Sequence, residues 1–225
     1  MNFKGFHKVS LIDYPGKICA MVFTGGCNFR CHYCHNPELV IGYEKLPDIS
    51  EEEIISSIIK RKGLLDGLCI SGGEPTICQG LLQFMEKIKK LGFLVKLDTN
   101  GTNPAVLKES IEKKLVDYIA MDIKGTSVRY PEIVGAMVDI SKTEESVQIL
   151  LQNKIDYEFR TTVFPEFISE KDAIEIGKWT KGAKRYVLQQ PSTEKTLNKA
   201  FKPKKLYSDS ELLYLSKFLS NPILR

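Results

Sequence analysis

No stretch of this 225-residue chain holds the roughly eighteen consecutive apolar side chains that a membrane-crossing helix needs. The N-terminal residues Met1 to Lys8 lack the apolar core of a signal peptide, so the expected location is the cytoplasm. Charge of one sign is scarce as well. Thirty-two Lys and Arg against 28 Asp and Glu leave a net charge of +4, short of the imbalance of a dedicated nucleic-acid binder. Of the six cysteines three are clustered, and Cys19, Cys69 and Cys78 lie scattered in apolar or loop contexts of a chain too large to need disulfide staples, so reduced thiols are expected there. There is no low-complexity tract and no break in composition, which leaves one domain over residues 1–225 as the expectation. The one local concentration of charge is late in the chain: Lys195, Lys199, Lys202, Lys204 and Lys205. A solvated loop is its plain reading, and a docking surface for an acidic electron donor or protein partner its functional one.

What the chain does have is a run at residues 24–36, Thr-Gly-Gly-Cys-Asn-Phe-Arg-Cys-His-Tyr-Cys-His-Asn. It puts Cys27, Cys31 and Cys34 within eight residues. Thiolates so close together can turn toward one centre, and thiolate is the ligand that iron–sulfur clusters and zinc select. No fourth cysteine follows in the loop. A structural metal site closes its coordination with four protein ligands, whereas three leave a position open to an exogenous group. Two rivals stand beside that reading: His32 and His35 completing a zinc knuckle in an interaction module, and three cysteines that share a loop by chance.

Around this run the hydrophobic pattern alternates between strand and helix. Residues 18–24 form an apolar run ending at Gly25-Gly26, followed by a helix that Ser50 caps, with Ile54, Ile55, Ile58 and Ile59 on one face. Further strands are predicted at 67–71, 93–97, 116–121, 157–164 and 185–189. The helices between and after them are predicted at 79–91, from Pro104, and at 142–153, 169–180 and 208–219. Such alternation means parallel pairing through right-handed crossovers, which gathers all strand-to-helix loops on one rim. Six units fall short of the eight of a closed barrel. The expected fold is therefore α/β, an open partial (βα)6 barrel whose lateral gap admits a large substrate, with Arg160 and Thr162 toward that gap, plain strand packing being the other reading of Thr162.

The loops on that rim carry unusual residues: Ser71-Gly72-Gly73-Glu74-Pro75, then Asp98-Thr99-Asn100-Gly101, then Met121-Asp122-Ile123-Lys124-Gly125. Paired glycines expose backbone polar groups to a closely packed ligand, and a carboxylate can bind an ammonium. Singly each is ordinary turn chemistry. Their common position at strand C-termini sets them apart.

Cys-x3-Cys-x2-Cys with Tyr33 before the last cysteine resembles the signature of radical S-adenosylmethionine (SAM) enzymes, and Gly72-Gly73-Glu74-Pro75 resembles their GGE motif. Asp98-Thr99-Asn100-Gly101, Asp122-x-Lys124 and His35-Asn36-Pro37 are similar to stretches of the activating enzymes of glycyl radical enzymes. Residues 10–17 and 34–39 look most like anaerobic ribonucleoside-triphosphate reductase activating proteins. The resemblance implies a [4Fe–4S] cluster on Cys27, Cys31 and Cys34, with SAM on its open iron. It implies that Glu74 and the Gly72–Gly73 backbone bind the SAM ammonium, Lys124 its carboxylate, and Tyr33 its adenine. Asp98, Thr99 and Asp122 would meet the ribose or a nearby monovalent cation. Reductive cleavage of SAM to a 5′-deoxyadenosyl radical, and a glycyl radical on a partner enzyme, are the implied chemistry, with a flavodoxin- or ferredoxin-type donor and no catalytic residue beyond cluster and SAM. A small molecule or an RNA base is the alternative substrate. The chain lacks the eight further cysteines of a second-cluster insert, and it has Gln190 where some relatives offer a histidine to SAM.

Overall fold

The structure is a computed structural model that describes every residue except Thr193. It divides into two compact units. The first comprises Met1–Asn28, Glu38–Thr99 and Asn103–Ile119, and the second Phe29–Pro37, Asn100–Thr102 and Ala120–Arg225.

The first unit carries strands β1 (Phe3–Ser10), β2 (Cys19–Thr24), β3 (Gly67–Gly72) and β4 (Leu94–Thr99). Helix α1 (Pro37–Val40) begins at its border, and α2 (Glu51–Ile59), α3 (Leu81–Lys90) and α4 (Pro104–Glu112) lie within it. β1 runs antiparallel to β2, while β2–β3 and β3–β4 are parallel. Thr24 pairs with Gly72 in that register, so the cysteine loop and the Gly-Gly-Glu loop leave the sheet side by side. Ser50 caps α2 by accepting from the Glu53 N–H at 3.1 Å, and Ile54 and Ile58 are its buried stripe. Ile59, expected on that face, is 45% exposed. It lies in the last turn, rotated off the stripe that Ile54 and Ile58 define.

The second unit holds most of β5 (Tyr118–Asp122), then α5 (Tyr130–Val134), α6 (Ile140–Leu151), β6 (Asp156–Thr162), α7 (Glu170–Trp179), β7 (Tyr186–Gln189), α8 (Asp209–Ser216) and β8 (Pro222–Leu224). β6–β7 and β7–β8 are parallel. Capping boxes open α7 at Ser169–Asp172 and α8 at Ser208–Glu211.

Strand order follows chain order in an open sheet, so the class is α/β with mainly parallel strands. The six predicted strands are β2 to β7. Two edge strands add to them. β1 alternates weakly and is interrupted by Gly5, and β8 is three residues that begin with a proline, as an edge strand tolerates. Among the described residues no helix is long and apolar enough to cross a membrane.

Candidate functional site

In the first unit the Gly-Gly-Glu loop is stitched to the entry of the cysteine loop by backbone. Gly73 N donates to Thr24 O at 2.9 Å and Glu74 N to Gly26 O at 2.8 Å. The approach is so close that a Cβ on Gly73 would overlap the Gly26 carbonyl and stand 3.1 Å from the Cys27 nitrogen. Gly72 has φ +130°, a conformation that side-chain-bearing residues rarely adopt. Glu74 is buried, and its Oε1 accepts from Thr76 N at 3.1 Å, Thr76 Oγ1 at 2.6 Å and Thr99 Oγ1 at 2.7 Å. Three donors on one oxygen hold the carboxylate in a single orientation. Asp98, at the end of β4, is paired with the ammonium of Lys96, a lysine only 1% exposed whose Nζ also lies 3.6 Å from Cys69 Sγ.

In the second unit Asp122 is gripped from two sides, by Arg160 Nε at 2.9 Å and Lys124 Nζ at 2.9 Å. Burial opposes ionisation of Asp122, but the two cations outweigh it and hold its carboxyl well below the usual carboxylate range. Burial likewise opposes charge on Lys124, and the Asp122 carboxylate overcomes it and raises the ammonium. The loop that carries both is fastened by Tyr130, whose hydroxyl accepts from Lys124 N at 3.2 Å and donates to Asp122 O at 3.4 Å. Cys31 and Tyr33 lie within the field of this pair. Burial pushes the Cys31 thiol up to about 11, with Lys124 the main opposing influence, so metal coordination is what would make it a thiolate at neutral pH. Tyr33 packs on Phe164 and Phe167 with ring centroids 5.0 and 5.9 Å away.

Two of the sequence-selected residues end in orphaned groups. The Tyr33 hydroxyl and Gln190 Oε1 are buried with no hydrogen-bond partner among the described residues. Gln190 is otherwise fixed, its Nε2 donating to Tyr207 O at 2.6 Å. A native protein rarely leaves such atoms unsatisfied, and a bound ligand is one way to satisfy them. His32 has its ring 6.4 Å from both Phe167 and Phe201 and its Nδ1 3.2 Å from Asn198 Nδ2. All six cysteines are thiols. Among the described residues no three His, Cys, Asp or Glu side chains gather about one metal-ion position.

The sequence reading passed over three residues that organise these places, Thr76, Lys96 and Tyr130, and gave a fourth, Arg160, another place. Thr76 orients Glu74, Lys96 neutralises Asp98, Tyr130 fastens residues 122–124, and Arg160 pairs with Asp122. Two of these had a local signal: Lys96 sits two residues before Asp98 and so on the same face of the strand, and Thr76 sits two residues after Glu74.

The family model of the radical SAM superfamily matches residues 21–176. The chain belongs to the radical SAM superfamily. A protein of Methanocaldococcus jannaschii, assigned by inference as a glycyl-radical enzyme activating enzyme, is 34% identical over 98% of this chain and 94% of its own. A pyruvate formate-lyase-activating enzyme of Staphylococcus epidermidis is 32% identical over 50% of this chain and 49% of its own, so this radical SAM chain matches about half the length of that relative. Among solved structures, Streptococcus suis SuiB bound to the precursor peptide SuiA superposes with a TM-score of 0.69 at 14% identity, covering 91% of this chain and 48% of that one. TYW1 with a lysine-pyruvate adduct superposes with a TM-score of 0.63 at 18% identity, covering 88% and 72%. These two likenesses show the radical SAM fold alone.

The family implies a [4Fe–4S] cluster and SAM, and the residues present fit them. Cys27, Cys31 and Cys34 are free thiols close together in the sequence; within the first unit Gly72 and Gly73 leave no room for a Cβ, and within the second the Tyr33 hydroxyl and Gln190 Oε1 are buried without partners, which is the chemistry such a group requires.

Proposed function

We propose that this radical SAM protein activates a glycyl radical enzyme, with anaerobic ribonucleoside-triphosphate reductase as its partner. Cys27, Cys31 and Cys34 would hold the [4Fe–4S] cluster. Bound together, cluster and SAM supply the reductive cleavage that yields a 5′-deoxyadenosyl radical, with a glycine Cα–H of the partner as hydrogen donor. The chain's own residues bind and orient. Glu74 and the Gly72–Gly73 backbone receive the SAM ammonium, Lys124 the carboxylate, Tyr33 the adenine, and Thr99, Asp98, Asp122 and Gln190 the ribose side. The protein is placed in the cytoplasm of an anaerobic cell and takes its electron from a flavodoxin- or ferredoxin-type carrier.

The observation that carries this reading is the buried Asp122–Lys124 pair within electrostatic reach of Cys31 and Tyr33, residues some ninety positions away in the sequence. A lysine so placed can meet a carboxylate ligand beside a thiol-bound metal. The deciding experiment is anaerobic: the reconstituted protein is reduced with SAM, alone and with the reductase. The expected products are 5′-deoxyadenosine and the doublet of a glycyl radical on the reductase by electron paramagnetic resonance. Cleavage without that doublet would remove the reductase as partner, and absence of cleavage would end the reading as a whole.

Lys124→Ala is expected to weaken SAM binding at least about tenfold, roughly 1.4 kcal/mol, while iron content stays unchanged. Asp122 keeps Arg160 at 2.9 Å in that variant, so the fold should survive. Equal SAM affinity by equilibrium binding would take Lys124 out of the site.

A monovalent cation near Asp98 and Asp122 has a weaker basis. Lys96 is paired with the first carboxylate, and Arg160 and Lys124 with the second. Each carboxylate already has a side-chain cation, so SAM affinity should be the same when choline replaces sodium and potassium in the buffer. A loss of affinity that potassium restores would show an ion is needed.

A further inference from the structure

The charge of the chain is unevenly placed. Residues 194–205 hold five lysines and one glutamate, a balance of +4, which is the net charge of all 225 residues. The rest of the chain is electrically neutral. All five lysines, Lys195, Lys199, Lys202, Lys204 and Lys205, are exposed, and Lys205 is paired with Glu211 at 2.6 Å.

Within the second unit this strip is tied to the cysteine loop. Asn198 N donates to His32 O at 3.1 Å, and Asn198 Nδ2 lies 3.2 Å from His32 Nδ1. Phe201 stacks on Phe167 at 5.3 Å with 14° between the planes, and lies 6.4 Å from the His32 ring. Phe167 and Phe164 are also the rings on which Tyr33 packs. Two anchors, Asn198 and Phe201, thus fasten the strip to His32 and to the rings on which Tyr33 packs. His32 and Tyr33 are the two residues between Cys31 and Cys34, and the exposed Lys199 and Lys202 each adjoin an anchor in the chain.

We infer that residues 195–205 are the docking surface for an acidic one-electron carrier protein, which delivers its electron at the cysteine loop. This rests on the radical SAM reading and adds the place of electron entry. A neutral body with its whole excess charge at one spot orients a negatively charged partner toward that spot during diffusional encounter. Here the spot adjoins the residues proposed to hold the cluster. The carrier loses one electron, the cluster site gains it, and cleavage of one SAM sulfonium consumes it. A nucleic acid fits less well. Single strands are held by stacking on exposed aromatic rings, whereas Phe201 is engaged with Phe167 and the Tyr207 hydroxyl donates to Ile168 O at 2.6 Å.

The test uses the double variant K199E/K202E in the reconstituted full chain. Oxidised flavodoxin is titrated by flavin fluorescence, and 5′-deoxyadenosine is counted with reduced flavodoxin or with dithionite as reductant. The variant is expected to bind flavodoxin at least about tenfold more weakly and to turn over correspondingly more slowly with it, with the dithionite rate unchanged. Wild-type binding should weaken as salt rises, because the contact is between exposed charges. Equal flavodoxin affinity in variant and wild type overturns the inference. So does a variant that keeps flavodoxin affinity but loses radical formation on the reductase, or binding of single-stranded RNA; either result gives the strip to another partner. Absence of cleavage with dithionite in the wild type would instead defeat the function proposed above, while the binding measurement still decides the docking surface.

Discussion

Cys31→Ala is expected to abolish the cluster. The anaerobically reconstituted variant should carry close to no iron and no labile sulfide, against roughly four of each per chain in the wild type, and should release no 5′-deoxyadenosine. Three thiolates are the smallest protein set that holds such a cluster. Cys31 is only 8% exposed, so water has little room to take the place of its sulfur. The loop should stay folded, since Arg30 N donates to Val134 O at 2.7 Å and Cys34 N to Cys31 O at 3.0 Å by backbone alone. Thermal unfolding of the metal-free protein should therefore change little. Cys69→Ala is the contrasting variant. Its thiol is fully buried on β3 beside Lys96, where the loss costs packing, about 1 kcal/mol, and leaves the iron in place. If Cys31→Ala kept its iron, or Cys69→Ala lost it, the assignment of the cysteine loop would be wrong.

Cys27, Cys31 and Cys34 stand out in the sequence because their signal is local: unusual chemistry packed into a few residues. The same holds for Gly72, Gly73 and Glu74, and for the alternation that marks β2 to β7. Helix starts were equally plain at Ser50, Ser169 and Ser208, where a hydroxyl must satisfy an N–H of the first turn. What escaped depends on partners far apart in the chain. Asp122 was singled out, but its neutralisation by Arg160 joins residues 38 positions apart. His32 was weighed as a zinc ligand, and its ring instead meets Asn198 across 166 positions. Tyr130 was not singled out in the sequence, and only the folded chain brings its hydroxyl to the backbone of Asp122 and Lys124. Edge strands such as β8 escape for another reason. Three residues carry too little periodicity to register, and their pairing comes from β7.

The second large effect is expected at Gly73, where Gly73→Ala should disable the site without touching a titratable group. β2 and β3 end in register at Thr24 and Gly72, and the next residues stay in backbone contact, with Gly73 N on Thr24 O and Glu74 N on Gly26 O. A methyl group on Gly73 meets the Gly26 carbonyl, and its next neighbour is the Cys27 nitrogen. Both are backbone atoms, so no rotamer change relieves the overlap, and one loop must move away from the other. Overpacking of this kind costs about 3 kcal/mol, which in a chain of this size lowers the melting temperature by about 6–12 °C. Because the loop that moves carries either Cys27 or Glu74, iron content and SAM affinity should fall together, SAM affinity by at least about tenfold. Gly16→Ala separates this from a general glycine effect. Gly16 has φ +69°, but a methyl group there would meet nothing within 4 Å, so only backbone strain of about 1 kcal/mol is expected, with iron and SAM binding intact. A Gly73→Ala protein that bound SAM like the wild type would mean that the contact between these two loops does not shape the ligand site.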